Sequence, residues 1–122
     1  MNVKKLVQGL SYVGEARGKR QTYYVFRGGG DFLALSFSKT KPQAGNFIIV
    51  DSKAVDYVRR RLRGKKGVTA NDVVARAKRS RRVKGSLAAL NILYVLVALG
   101  DARVDERRVG PQLYFNFSGR RA

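Results

Sequence analysis

Along the 122-residue chain the spacing of apolar positions changes character near Asp51. Before it, "TYYVFR" and "FLALSFS" alternate or run apolar over strand-like lengths. The "GGGD" between them supplies glycines able to take the positive φ of a tight turn, so the pair predicts a β-hairpin. "NFIIVD" predicts a third strand, set off by the turn-forming "KTKPQAG". At the N-terminus Val3, Leu6, Val7 and Leu10 have helical spacing, although Gly9 and Gly14 argue against a long helix.

After Asp51 the apolar period lengthens to that of helices. Asp51 or Ser52 can cap a helix whose apolar stripe is Val55, Val58 and Leu62, and "GKKG" ends it. In "VTANDVVARAK" Thr69 and Asp72 stand as a capping-box variant, with Val68 and Val73 at the staple positions, so a short second helix starts at Thr69. "SLAALNILYVLVALG" predicts a third, from Ser86 to a left-handed cap at Gly100. "ARVDERRVGPQLYFNF" then gives two strand-like runs around a Gly-Pro turn, with Leu113, Phe115 and Phe117 facing one way and Gln112, Tyr114 and Asn116 the other. The expected fold class is α+β: residues 1–50 as an antiparallel β subdomain, packed with a helical unit and its β-hairpin over residues 51–122.

The third helix raises the question of what surrounds it. It is too short for a bilayer core, which needs about 20 apolar residues. Its wide apolar arc is Ala89, Leu90, Ile92, Leu93, Leu96, Val97 and Leu99. The remaining stripe, Ala88, Asn91, Val95 and Ala98, has the three-four-three spacing of a helix-packing seam. The segment therefore reads first as a core helix, with that stripe against the N-terminal sheet or against a second subunit in a homodimer.

Charge changes the picture of function. There are 26 Lys+Arg against 8 Asp+Glu, a formal net charge of +18, with eight basic and two acidic residues in 1–50 and eighteen and six in 51–122. Such an excess calls for a partner of many negative charges, and nucleic acid fits best. Cys and His are both absent, which removes disulfides, thiolate zinc sites and the commonest general base and metal ligand. No interfacial amphipathic helix and no signal-peptide pattern is visible, so a cytoplasmic protein without membrane contact is expected. The shortage of Asn and Gln beside abundant Arg and Val is similar to thermophile composition.

Three helices followed by a hairpin, with a tight connection between the second and third, resemble a winged helix-turn-helix over about residues 52–117, "LVALGDARVDERR" being similar to a recognition helix running into the first wing strand. The resemblance implies that the third helix enters the major groove and that the wing tip touches the backbone or minor groove. By position Lys84, Ser86, Ala88 and Asn91 would then lie toward DNA, and Arg107 and Arg108 at the wing tip. Only Asn91 on that stripe could read a base edge by a two-point hydrogen bond, so phosphate contact would supply most of the affinity. Candidate contacts are Arg59, Arg60, Arg63, Lys65 and Lys66 at the first helix, and Arg76, Lys78, Arg79, Arg81 and Arg82 before the third. The expected function is non-enzymatic binding of double-stranded DNA, as a transcriptional regulator or chromatin-type protein, without cofactor or metal.

Two other readings stand beside it. "VKGSLA" followed by "PQLYF" resembles winged-helix proteins of the archaeal and eukaryotic small ribosomal subunit, which implies RNA or the ribosome as partner. Asp31, followed after a strand by Asp51-Ser52-Lys53, resembles the acid and acid-x-Lys arrangement of metal-dependent nucleases, in which two carboxylates hold Mg²⁺ and the lysine positions water; the simpler reading is a turn residue and a helix cap. "RGGGD" lacks the Gly-Lys-Ser/Thr of a phosphate loop. Tyr23, Tyr24 and Phe26 beside Arg20 and Arg27 offer either base stacking or ordinary strand packing.

Overall fold

A computed structural model describes residues 3–37, 45–77, 82–108 and 110–119. The chain is α+β, and its described residues form a four-stranded antiparallel sheet, four helices and a small two-stranded ribbon. Helix α1 (Val3–Leu6) leads into β1 (Ser11–Arg17), β2 (Thr22–Gly28), β3 (Asp31–Phe37) and β4 (Gly45–Asp51), which form a meander in sequence order. Helices α2 (Ser52–Leu62), α3 (Ala70–Arg76) and α4 (Ser86–Leu99) follow, then β5 (Ala102–Val104) and β6 (Phe115–Phe117).

The strand that periodicity missed is β1. The helical spacing at the N-terminus yields a helix of only 4 residues, and the chain then extends, because "SYVGEAR" carries a glycine and a register irregularity between Tyr12 and Gly14 that hide its alternation. Gly14 has a packing reason. A Cβ there would lie 2.6 Å from the carbonyl oxygen of Ala98, so β1 crosses α4 at a distance only glycine permits.

The sheet uses its two faces differently. Tyr23, Val25, Phe32, Ala34, Ile48 and Val50 belong to the main core or pack against it. Leu33 and Leu35 point the other way, and their cross-strand partners are Phe26 with Ile49 and Tyr24 with Phe47. β3 is thereby buried on both faces, which is why it reads as an unbroken apolar run rather than an alternation.

Asp51 ends β4 and caps α2, its carboxylate accepting the Lys53 N–H at 3.0 Å. The boundary expected between the two halves is thus a single residue with no linker, and one core draws on both sides of it. Ala54, Val55, Val58 and Leu62 form the buried stripe of α2. The capping box at α3 is formed as expected: Thr69 Oγ1 accepts from Asp72 N–H at 3.2 Å, and Asp72 accepts from Thr69 N–H at 3.0 Å. α4 ends at Gly100 in the left-handed region, φ 85°.

α4 is the axis of the molecule. It packs against β1 and the rest of the sheet on one side and against α2 and α3 on the other. Asn91 and Val95 of the seam stripe are buried within the chain and Ala88 and Ala98 half-buried, with Ala98 against Gly14 of β1. The terminal ribbon is shorter than its strand-like sequence, 3 residues in each strand. Val68 bridges to Phe115 through paired hydrogen bonds of 2.9 and 2.8 Å, which ties the α2–α3 connection to β6.

Val95→Arg should therefore lose about 3 kcal/mol or more, because the guanidinium must be buried unpaired or must push the sheet from α4. The expected reading is a sharply lowered Tm or failure to fold; a Tm close to wild type would mean that the middle of α4 is open to solvent.

Candidate nucleic-acid interface

The buried stripe of α2 turns Arg60, Arg61 and Arg63 to solvent, and Lys65 and Lys66 are exposed beyond its end. Arg59 differs from its neighbours. Its guanidinium bonds Asp56 one turn earlier and donates to Asp101 Oδ2 at 3.2 Å, just past α4. An expected phosphate contact, it is engaged by two carboxylates and ties α2 to the end of α4.

Around the start of α4 the expected contacts divide. Lys78, Arg79 and Arg81 lie outside the described residues. Arg76, Arg82, Lys84 and Ser86 are exposed, and Arg82 is 3.9 Å from Asp51. Asn91, expected toward DNA, lies at 8% exposure within the buried span of α4, which leaves little of its side chain for a base edge.

The turn after β5, where the sequence placed the wing tip, is organised by one carboxylate. Asp105, buried, accepts from the Arg107 backbone N–H at 3.1 Å and from its guanidinium at 3.1 and 3.3 Å, while Arg108 Nε stands 3.8 Å away. Arg108 also lies 4.8 Å from the centre of the Tyr114 ring. Both guanidinium groups remain on the surface, their side chains 87% and 53% exposed. The Arg107 side chain, its backbone N–H and the Asn116 side chain lower the Asp105 pKa to about 2, against the opposing effect of burial.

Tertiary structure adds cations that no local cluster signals. Arg17 on β1 and Arg103 on β5 join Lys66 and Arg107 along a groove of about 920 Å³, which Glu15 and Glu106 also line. Arg17 and Arg103 are isolated charges within strands, and only the approach of β1 to the ribbon brings them together. The aromatic cluster, by contrast, is dispersed by strand alternation. Tyr23 stacks on Tyr94 at 4.3 Å, Tyr24 and Phe26 face the opposite side of the sheet, and Arg27 lies over Phe32.

Asp31 and Asp51 are direct cross-strand partners at the end of the sheet. Both are exposed, and one oxygen of Asp51 serves the α2 cap. Among the described residues no three acidic side chains gather as a metal site. No described helix is long and apolar enough to cross a membrane. Comparison of the chain with protein-family models, with curated proteins and with solved structures finds no match.

The lowered pKa of Asp105 has a definite sign. Its carboxylate stabilises the fold above its ordinary value of 3.8, and that contribution is lost as pH falls from there toward about 2. Asp105→Asn should therefore lower Tm at neutral pH and flatten the acid limb of the stability profile over that window. An unchanged acid limb would mean that the carboxylate does not hold the wing.

Proposed function

We propose that the protein is a non-enzymatic nucleic-acid-binding protein that holds double-stranded DNA mainly through phosphate contacts, as a transcriptional regulator or chromatin-type protein. The observation that carries the reading is the division of charge. The net charge is +18, and several of the few acids face inward or serve the fold: Asp101 and Asp105 are buried, and Asp51 and Asp72 cap helices. Arg60, Arg63, Lys65, Arg76, Lys84 and Arg107 are left facing solvent.

The order α2, the Val68 bridge, α3, α4, β5, wing and β6 is similar to that of a winged helix-turn-helix and supports placing the wing and the α3–α4 connection against the duplex. The departure from that family is the sheet over α4. It favours contact with the backbone over reading of base edges and makes indifference to sequence the expected mode. Nothing in this mode requires a cofactor, a metal or catalysis.

A second reading, an RNA- or ribosome-associated protein, is favoured by one observation. The two short segments similar to small-subunit ribosomal proteins are distant in sequence, yet Ser86 and Leu87 of one and Pro111, Gln112 and Leu113 of the other line the same cleft. Parallel titrations with duplex DNA and duplex RNA separate the two readings.

Duplex DNA affinity, followed by fluorescence anisotropy, should fall log-linearly with salt at a slope of about −0.9 per neutralised phosphate. Arg60→Ala with Arg63→Ala should weaken binding and reduce that slope by up to about 2 while leaving Tm unchanged. A flat salt response would remove the phosphate reading.

With Mg²⁺ present, wild type, Asp51→Asn and Lys53→Ala should leave supercoiled plasmid equally intact. Nicking by the wild type that either substitution abolishes would establish the nuclease instead.

A further inference from the structure

Leu87 is 70% exposed at the start of α4, the most exposed of the large apolar side chains. Folding gives no reason for it, since the buried span of the helix begins at Ala89. It stands at the mouth of a cleft of about 560 Å³, a size suited to a small organic ligand. Four parts of the chain converge there: the β1–β2 turn, the first residues of α3, the first turns of α4 and the wing.

The lining is chemically sorted. Leu90, Tyr94 and Leu113 are largely covered and supply an apolar base, and Tyr23 stacks on Tyr94 at 4.3 Å with 20° between the rings. Three amides, Gln21, Asn71 and Gln112, stand among these groups. Two of them are oriented by tyrosines: Gln21 Nε2 donates to the Tyr23 hydroxyl at 3.2 Å and Gln112 Nε2 to the Tyr114 hydroxyl at 3.1 Å. Each leaves a carbonyl oxygen to accept. Lys19 and Arg20 on the β1–β2 turn are exposed cations, and no acid lines the cleft.

An apolar base, amide donors and acceptors beside it, and positive charge without negative charge match a planar heteroaromatic ring joined to phosphate. An acidic peptide would use the cations and leave the paired amides and the aromatic stack without partners. We infer that this cleft binds an unpaired nucleotide of a nucleic acid chain, its base against Leu87, Leu90 and Tyr94 and its phosphate toward Lys19 and Arg20. The inference rests on the nucleic-acid reading and places the unpaired base in a cleft that borders the surface proposed for the duplex, sharing Ser86 and residues 111–113 with it. DNA and RNA share the required chemistry.

The test is an NMR titration of the full chain, observing the leucine methyls and the side-chain amides of Asn71 and Gln112. The probes are tetrathymidylate, tetrauridylate and a blunt, fully paired DNA duplex. Saturable shifts at Leu87, Leu90, Asn71 and Gln112 are expected with the single strands, and comparison of the two identifies DNA or RNA as the better source. The duplex should instead perturb resonances on α2 and at Arg107 and leave Leu87, Leu90 and Asn71 unmoved. Leu87→Glu alters an exposed residue and should keep the wild-type Tm while weakening single-strand binding by about fivefold or more, since it removes the apolar contact and sets a negative charge near the phosphate. Single strands that leave these four residues unmoved, or that bind Leu87→Glu as well as wild type, would overturn the cleft assignment even if the duplex binds. Cleft shifts with no duplex binding would support the cleft and overturn the duplex reading.

Discussion

The rest of the structure depends on enclosing α4. Beyond its first turn the helix has no polar face, and fully burying each of its leucine, isoleucine and valine side chains contributes about 1.5–3 kcal/mol. α2 and α3 cover one side; three helices of this length leave the other open. The meander supplies the missing wall, and Gly14 permits the close approach by which β1 meets Ala98. The sheet is thus the second half of a core whose first half is helical, and the direct passage from β4 into α2 at Asp51 follows from that shared core.

Enclosure of α4 also governs how the chain can meet nucleic acid. A helix buried through Asn91 and Val95 cannot lay its length in a major groove, so the proposed contact falls to what surrounds it, and the outer face of α2, Lys84 and Arg107 carry exposed cations there, as β1 and the β1–β2 turn do elsewhere. Arg59 differs, because its two carboxylate partners draw it into the joint between α2 and Asp101. The proposed mode of binding, strong in charge and weak in base reading, follows from the packing as much as from the composition.

The β5–β6 connection borders two grooves, one with β1 and one with the β1–β2 turn. One groove brings together Arg17, Lys66, Arg103 and Arg107. The other combines Lys19 and Arg20 with amides and an apolar base. The first depends on the buried Asp105 carboxylate, which holds the turn after β5, and both on the Val68–Phe115 pairing, which fixes the ribbon against the α2–α3 connection. A neutral residue in place of Asp105 would therefore disturb the groove that Asp105 and Arg107 line.

Much of the fold was legible from local patterns. The strands at 22–28, 31–37 and 45–51, the caps at Asp51, Thr69 and Gly100, and the burial of the seam through Asn91 and Val95 each depend on a few adjacent residues or on a repeat that side-chain direction enforces. β1 was not legible, because a glycine and a register irregularity break its period. The candidate site was legible only as a total of charge and as clusters along the chain. Which cations are drawn to a carboxylate across elements, as Arg59 is to Asp101, and which meet one another, as Arg17 and Arg103 do, depends on distances between residues far apart in sequence. The sequence by itself determined that α4 must be enclosed and that the surface must be positive, since hydrophobicity and charge are properties of residues. Only the tertiary structure decided what encloses the helix and where the positive charge converges, because those are properties of their arrangement.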